Sequence, residues 1–148
     1  MIKYTELKKR IKKHEGFRNK VYLDQLGHPT IGYGHLVKKN DKIVIKKKYS
    51  KKHLISLFEE DFNKALRNFN YHYSYLKMKK NFQEVLVEMI FQLGIKKTLK
   101  FKKFNFYLKN QQTYLAALEM INSLWYLQTP KRVDNLIKIL LNYKNEKK

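Results

Sequence analysis

The sequence predicts an α+β fold, in which a small antiparallel sheet near the N-terminus precedes a larger helical part. Two observations predict it. Four glycines and a proline crowd residues 16–34 and separate short runs that favour strands. From Ser50 onward, apolar residues recur at the 3.6-residue period of an amphipathic helix. With 148 residues, 43% of them hydrophobic, the chain is long enough for one folded domain with its own core.

The first element is a short amphipathic helix. Leu7 and Ile11 lie at helical spacing, which predicts a helix over residues 4–14. Gly16 is well placed to stop it, because glycine readily adopts the backbone conformation that ends a helix. Glu15 is therefore expected at the C-terminal end of this helix.

A small sheet follows the helix. Residues 17–24 and 29–33 predict the two strands of a hairpin, joined by turn residues at 25–28. Residues 42–46 predict a third strand after a turn at residues 40–41. Three such short strands are too few to be stable alone, so we expect them to pack against the helical part.

The remaining elements are helices. A long helix begins after Ser50 and is expected to join the small N-terminal lobe to a helical C-terminal lobe. Its apolar face is formed by Leu54, Leu57, Phe58, Phe62, Ala65, Leu66 and Phe69. Further helices are predicted over residues 81–93, 98–108, 112–124 and 131–143, the last after Pro130, a favoured first-turn residue.

The domain organisation is expected to be simple. We predict a single domain over residues 1–148, with an N-terminal lobe over about 12–60. The C-terminal helical lobe spans about 61–148 and also includes the N-terminal helix.

No apolar run approaches the roughly 18 residues of a membrane helix. The first residues lack the apolar core of a signal peptide, and zero cysteines exclude disulfides. These features are typical of a protein made in a cytoplasm.

The charge is the strongest compositional signal. A net charge of +21 favours a polyanionic partner, such as bacterial wall polymers, an anionic membrane surface or nucleic acid. Lysines outnumber arginines 29 to 4, which also fits an AT-rich coding sequence, so the origin of the bias stays open. Arginine is the better residue for bidentate phosphate recognition. Its scarcity and the lack of a DNA-reading motif argue against a specific nucleic-acid-binding protein.

One segment carries candidate chemistry, from His14 to Leu36: HEGFRNKVYLDQLGHPTIGYGHL. Glu15 precedes a second carboxylate, Asp24, by nine residues, and the hydroxyl of Thr30 follows six residues later. Together they offer a proton donor, a base and a hydroxyl, which hydrolysis at a sugar carbon needs. Two carboxylates at this spacing occur in many chains, so the pair alone is weak evidence.

A longer pattern is more specific. It consists of Asp24, Gly27, Thr30, Ile31, Gly32, Tyr33, Gly34 and His35, followed by Phe91-Gln92-Leu93-Gly94 and by the block from Trp125 to Arg132. In this order the three blocks resemble the phage-type lysozymes (muramidases, glycoside hydrolase family 24). The resemblance runs from about Glu6 to about Leu140. Its weakest part is the lysine-rich segment 37–50, where many family members carry more chain.

The resemblance implies a lysozyme-like fold with a cleft between two lobes. It implies hydrolysis of the β-1,4 bond between N-acetylmuramic acid and N-acetylglucosamine in bacterial peptidoglycan, without a cofactor. In that family the acid is the residue matched by Glu15, while those matched by Asp24 and Thr30 hold and activate the water. The expected enzyme is a monomeric endolysin that lyses the host cell. It would be made in the host cytoplasm and reach the wall through a separate pore, or be delivered with a virion.

Further residues of the three blocks have expected roles. Leu36, Phe91 and Gln92 are expected to contact substrate. Arg132 is interpreted as a guanidinium that positions Glu15 across the cleft by a charge-assisted bond, the alternative being a solvated helix residue.

His35 is expected to support the site by a hydrogen bond to Asp61, which would tie the sheet to the long helix. A metal site at His35 is disfavoured, since the chain has only five histidines, no His-x-x-x-His pair and no cysteine.

Three alternatives stay open at this point. The chain fits a noncatalytic cationic binder of wall or membrane, and within enzymes it fits a lytic transglycosylase, which also needs a glutamic acid. The stripe Leu136, Ile137, Leu140 and Leu141 fits either core packing or an anionic membrane surface.

If Asp24 holds a water, the carboxyl groups of Glu15 and Asp24 must stand roughly 6.5–9.5 Å apart, and the reaction must invert the anomeric carbon.

Overall fold

The computed structural model describes residues 4–141 and confirms the predicted α+β class. The chain divides into two compact units, Met1–Lys64 and Ala65–Lys148. The first contains the N-terminal helix, the sheet and the first part of a long helix, and the second is helical. The predicted long helix is confirmed as α2 (Lys51–Tyr73), and the boundary between the units falls within it.

The first helix, α1 (Thr5–Glu15), forms where the apolar spacing predicts it. Leu7 and Ile11 are fully buried. Gly16 ends the helix with a φ of 71°, and its N–H donates to the carbonyl oxygen of Lys12 at 3.0 Å. Glu15 is thus fixed as the last helical residue.

Helix α1 belongs to the first unit, because it contacts the first half of α2. Lys8 Nζ lies 2.7 Å from Glu59 Oε2, and the Tyr4 and Phe62 rings lie 5.8 Å apart. The sequence prediction grouped α1 with the helical lobe instead. That one domain spans the whole chain stays a prediction.

The sheet is antiparallel, with strand order β1-β2-β3. Its strands are β1 (Arg18–Leu23), β2 (Pro29–Gly32) and β3 (His35–Leu36). In the first ladder Tyr22 pairs with Thr30, and in the second Thr30 pairs with Leu36. Thr30 therefore lies in the middle of the sheet, between residues of both neighbouring strands.

The prediction of a strand over residues 42–46 is wrong. The third strand is β3, and the chain then makes one 3-10 turn (Lys39–Asp41). Lys42 and Lys46 have left-handed φ angles of 54° and 70°, which interrupt extended backbone. Val44 and Ile45 remain 57% and 68% exposed, so Ile43 is the one residue of this apolar run that packs on the core.

The core of the first unit lies between the sheet and α2. Ile31 from β2 packs with Leu54 and Leu57 from α2, all buried. Partly buried hydrophobic side chains surround them: Val21, Val37, Ile43 and Tyr49. This contact holds β2 on the helix and so fixes the position of the residues beside Ile31.

The second unit contains six helices after α2 within the described residues. They are α3 (Lys80–Leu93), α4 (Ile95–Lys100), α5 (Lys102–Lys109), α6 (Thr113–Ile121), α7 (Leu124–Gln128) and α8 (Pro130–Leu140). The helix predicted over 98–108 is divided into α4 and α5, whereas the helix predicted over 112–124 ends at Ile121, and α7 follows it as a separate helix. Ser123 causes the second break, because its hydroxyl accepts the N–H of Tyr126 at 3.1 Å and caps α7.

Asn105 stabilises the break between α4 and α5. Its amide nitrogen donates to the carbonyl oxygens of Thr98 at 2.9 Å and Phe101 at 2.8 Å. Its amide oxygen accepts the hydroxyl of Tyr73, the last residue of α2, at 2.6 Å. One buried side chain therefore bonds to three segments of the second unit.

The apolar stripe of α8 packs in the core. Of the predicted stripe, Leu136 and Leu140 are buried and Ile137 and Leu141 are half-buried, which favours core packing over a membrane-facing role. Among residues 4–141, no helix combines the length and apolar character needed to cross a bilayer.

Candidate active site

Glu15 is held against a glycine of the hairpin. Gly34 lies in the turn between β2 and β3 with a φ of 75°. A Cβ atom built on Gly34 would lie 2.9 Å from the carboxyl carbon of Glu15 and closer still to its Oε2. The absence of a side chain at this position lets the carboxylate of Glu15 pack directly on the turn.

Asp24 follows β1 and organises the turn that leads to β2. Its Oδ1 accepts the N–H groups of Leu26 at 2.9 Å and His28 at 2.8 Å. Chiefly because of the His28 N–H, assisted by that of Leu26, the pKa of Asp24 lies below its ordinary value. The carboxylate is thus ionised at neutral pH, as a base that accepts a proton from water must be.

Thr30 is buried in the middle of the sheet. Its hydroxyl donates to the carbonyl oxygen of His28 at 2.9 Å. The N–H of Asp24 donates to the same carbonyl oxygen at 3.0 Å. The backbone of His28 therefore links the two residues, a connection that the sequence analysis missed. Since the proton of the Thr30 hydroxyl is engaged, its oxygen is left to act as an acceptor.

Tyr22 is a second residue that the sequence analysis missed. It pairs with Thr30 across the hairpin, and the Arg18 guanidinium lies 5.0 Å from its ring centroid. Burial, then the charge of Glu15, and to a smaller degree that of Asp24, raise the pKa of Tyr22 against the opposing effect of Arg18. Its hydroxyl is therefore a proton-bearing group within electrostatic range of both acids. Only the hairpin register could have indicated this.

His35 lies between two carboxylates. The predicted contact with Asp61 is confirmed, with Nδ1 of His35 2.7 Å from Oδ2 of Asp61. Asp41 was not predicted from the sequence; its Oδ2 lies 2.7 Å from Nε2 of His35 and accepts the N–H of Lys38. The imidazole therefore connects β3, the 3-10 turn and α2.

His35 and its two carboxylate partners, Asp41 and Asp61, form a triad in which opposite charges stabilise one another. Burial by itself would lower the pKa of His35, but the hydrogen bonds to Asp61 and Asp41 outweigh it, and the pKa is raised. Burial would likewise raise the pKa of Asp41, but the bonds from His35 and Lys38 lower it. An imidazolium between carboxylates is the favoured state, which supports a structural role.

Leu36 is exposed at the end of β3, opposite Thr30. A side chain at this position is accessible to a ligand that approaches Thr30. The substrate contact that we expect for Leu36 stays a prediction.

Phe91 and Gln92, the other expected substrate contacts, lie near the end of α3 in the second unit and are half-buried. Gln92 Oε1 accepts the indole N–H of Trp125 at 2.9 Å, and Gln92 Nε2 donates to Thr129 Oγ1 at 3.2 Å. These bonds fix the orientation of the amide. Each of its polar atoms keeps a further lone pair or proton, so substrate contact by Gln92 stays a prediction.

Arg132 forms a buried ion pair within the second unit. Its Nε lies 2.9 Å from Oε2 of Glu88, a residue with no solvent exposure. Glu88 was not predicted from the sequence, although a single acid inside the apolar run of α3 indicates a buried charged partner. The solvated alternative for Arg132 is wrong, because the residue is buried. Its predicted bond to Glu15 stays a prediction.

The geometry of the first unit defines a class of protein. Glu15 stands at a helix end, beside a hairpin that carries the ionised Asp24 and the hydroxyl of Thr30. These groups can supply the acid and the base of a glycoside hydrolase. Comparison with known proteins then identifies the family. The model of the phage lysozyme family matches residues 12–138, and the chain belongs to that family.

Curated relatives agree with the family. The chain is 31% identical to probable T4-type lysozyme 2 of Dictyostelium discoideum, with 91% of this chain and 93% of the relative covered. It is 28% identical to probable T4-type lysozyme 1 of the same organism, over 92% and 94%. It is 29% identical to the pre-baseplate central spike protein Gp5 of Enterobacteria phage T4, over 88% of this chain and 27% of that protein.

The predicted resemblance is thus confirmed. The protein is a glycoside hydrolase, a muramidase whose substrate is peptidoglycan. The family also decides between the open alternatives of enzyme and noncatalytic binder in favour of the enzyme.

Proposed function

We propose that this lysozyme hydrolyses the β-1,4 bond between N-acetylmuramic acid and N-acetylglucosamine with inversion at the anomeric carbon. Glu15 donates a proton to the glycosidic oxygen, and Asp24 accepts a proton from the attacking water. The observation that carries the proposal is the pair of bonds through which the backbone of His28 connects Asp24 and Thr30.

That connection determines how a water would be held. Asp24 is ionised and accepts one hydrogen of the water. Thr30 already donates its own proton to His28, so its oxygen accepts the other hydrogen. With both hydrogens bound, the lone pair of the water points at the sugar, which favours attack over diffusion. A carboxylate that holds a water in this way is not itself the nucleophile, and this supports inversion.

The stereochemistry can be measured directly. Proton NMR of the first products, before mutarotation, should show release of the α-anomer from the β-linked substrate. Early β-anomer, or a glycosyl ester trapped on Asp24, would contradict the assigned roles. Mass analysis of the products adds a second test, because reducing muramic ends indicate hydrolysis and anhydro ends indicate a transglycosylase.

Two substitutions separate the roles of the acids. Glu15→Gln should abolish turbidity clearing, since the amide has no acidic proton to transfer to the glycosidic oxygen. Asp24→Asn keeps an oxygen that can accept the N–H groups of Leu26 and His28, so the turn should persist while the charge is lost. Thermal unfolding near that of the unmodified protein, together with a large loss of activity, would assign the loss to the charge. Full activity of Asp24→Asn would rule out Asp24 as the base.

We further propose an endolysin-type role in host cell lysis by a monomer. The relatives support more than one route to the wall, because one of them is a phage spike protein. The enzyme would be made in the host bacterial cytoplasm and act after release through a separate pore, or be delivered with a virion. Expression in bacteria with and without a pore-forming protein distinguishes the routes, since an endolysin clears the culture only when the pore is present.

A further inference from the structure

Helix α6 (Thr113–Ile121) is apolar on both sides. Its buried side consists of Ala116, Ala117 and Met120. A surface helix would normally present polar residues on its other side. Here that side carries exposed Tyr114, Leu115, Leu118 and Ile121, and α7 adds exposed Leu124 and Leu127. We call these six residues the α6–α7 apolar face.

The six residues form a common surface. Tyr114, Leu118 and Ile121 are spaced i, i+4 and i+7, which places them in one row along the helix. Leu124 and Leu127 follow directly, one turn apart on α7. Leu118 and Ile121 are 55% and 45% exposed, so residues 4–141 leave about half of each side chain open to solvent. A contiguous exposed apolar surface of this kind marks a site of interaction.

The charges near the α6–α7 apolar face indicate which kind of partner would bind it. Between residues 113 and 128 the only charged side chain is Glu119. Helices α5 and α8 both contact α6 and carry Lys109 and Lys138 in their last turns. With a net charge of +21, a second copy of the chain is repelled, whereas an anionic surface is attracted.

We propose that the α6–α7 apolar face inserts into the surface of an anionic lipid bilayer. Aliphatic side chains enter the boundary between headgroups and acyl chains, while Tyr114 lies at the polar level that its amphipathic ring favours. The flanking lysines bind the anionic headgroups. Apolar burial and charge attraction together produce interfacial binding, and the lysozyme is held at the membrane beside the wall that it cleaves.

The test uses co-sedimentation of the full chain with vesicles of phosphatidylcholine, with and without phosphatidylglycerol. The unmodified protein should bind the anionic vesicles and keep part of that binding at high salt, when the charge is screened. The double variant Leu118→Gln/Ile121→Gln should bind about tenfold more weakly, because it removes apolar side chains that would be buried. The matched control Val44→Gln/Ile45→Gln changes two exposed apolar residues elsewhere and should bind normally.

The proposal is overturned if the double variant binds as well as the control, since adsorption then depends on charge alone. It is also overturned if the protein forms dimers without vesicles and the same substitutions dissociate them. The variant Leu124→Gln/Leu127→Gln provides an independent test should the first variant unfold on a thermal scan. Cleavage of soluble wall fragments should be unchanged in both variants, which separates this surface from the catalytic site.

Discussion

The carboxylate of Glu15 occupies the space that a side chain at position 34 would need. A Cβ atom on Gly34 would lie 2.9 Å from the carboxyl carbon of Glu15. The turn between β2 and β3 therefore determines where the proposed acid can stand. This relationship makes Gly34 a positioning residue for the acid, and it can be tested against a glycine that lacks such a neighbour.

Gly34→Ala should reduce activity far more than stability. The substitution forces the Glu15 carboxylate away from its position, and a displacement of about 1 Å can lower the rate of a positioned reaction on the order of a hundredfold. The left-handed φ of 75° adds about 1–2 kcal/mol of strain. The measurements are kcat for wall hydrolysis and the free energy of unfolding.

Gly94→Ala is the matched control. Gly94 has a similar φ of 82°, but apart from its own chain neighbours no atom lies within 4 Å of a Cβ built there. Its ψ of 160° places it in a backbone region open essentially only to glycine, so Gly94→Ala should lose at least as much stability and keep most of its activity. Equal losses of activity in the two variants would show that backbone strain, and not the contact with Glu15, is responsible.

His35 and Asp61 should be energetically coupled. Replacing either residue by Asn is expected to destabilise the protein, and the double variant should lose less than the sum of the two. The coupling energy is expected to be about 0.5–3 kcal/mol, since the two groups are in contact. Denaturant unfolding of the four proteins measures it. Additive losses would mean that the 2.7 Å contact contributes nothing to stability.

The contribution of this triad should depend on pH in a defined direction. The pKa of His35 is raised above 6.5, so its stabilisation is complete below 6.5 and is lost as the pH rises through the folded value. The pKa of Asp41 is lowered below 3.8, so its stabilisation is complete above 3.8 and is lost as the pH falls through the folded value. The difference in unfolding free energy between the unmodified protein and His35→Asn should therefore be largest between pH 3.8 and 6.5. A difference that grows above neutral pH would contradict this assignment.

Replacing only one member of the buried pair Glu88 and Arg132 should strongly lower the free energy of unfolding. Glu88→Met removes the buried carboxylate that lies 2.9 Å from the Arg132 guanidinium, and the expected loss is about 3–5 kcal/mol. The double variant Glu88→Met/Arg132→Met should recover part of that loss. Glu119→Gln, on the half-exposed side of α6, is the control and should change stability by less than about 0.5 kcal/mol. A single variant as stable as the control would show that the pair is not important for folding.

Wall hydrolysis should slow as the salt concentration rises. Exposed lysines attract anionic wall polymer through a field with a range of about 10 Å at 0.1 M salt and about 3 Å at 1 M. Clearing rates on whole walls should fall over this interval, while rates on short uncharged oligosaccharides should not. If both rates stay constant, the net charge of +21 has no part in substrate capture.

Much of the fold could be predicted because its signals are local. The period of Leu7 and Ile11 and the glycine that follows define α1, and the apolar face after Ser50 defines α2. The strand over residues 42–46 could not be excluded from sequence. Its failure depends on the left-handed backbone at Lys42 and on the lack of a partner strand, which is a property of the whole unit.

The candidate active site likewise has contacts that could be predicted from the sequence and contacts that could not. The contact of His35 with Asp61 could be expected from the family pattern, but the role of Asp41 depends on a single 3-10 turn. The backbone of His28 bonds both Asp24 and Thr30, and its Nδ1 also lies 3.6 Å from Oδ2 of Asp24, but the bond to Thr30 uses a carbonyl group that any residue would supply. Contacts that depend on backbone position are the ones that sequence reasoning misses.

The three bonds of Asn105 bear on how the second unit opens. Helices α4 and α5 have six and eight residues, too few to persist alone in water. Because one amide connects both of them to the end of α2, none of these segments can loosen without leaving buried polar groups unsatisfied. They should therefore behave as one cooperative unit, in which amide protons of all three segments exchange with solvent through a shared opening rather than by separate fraying.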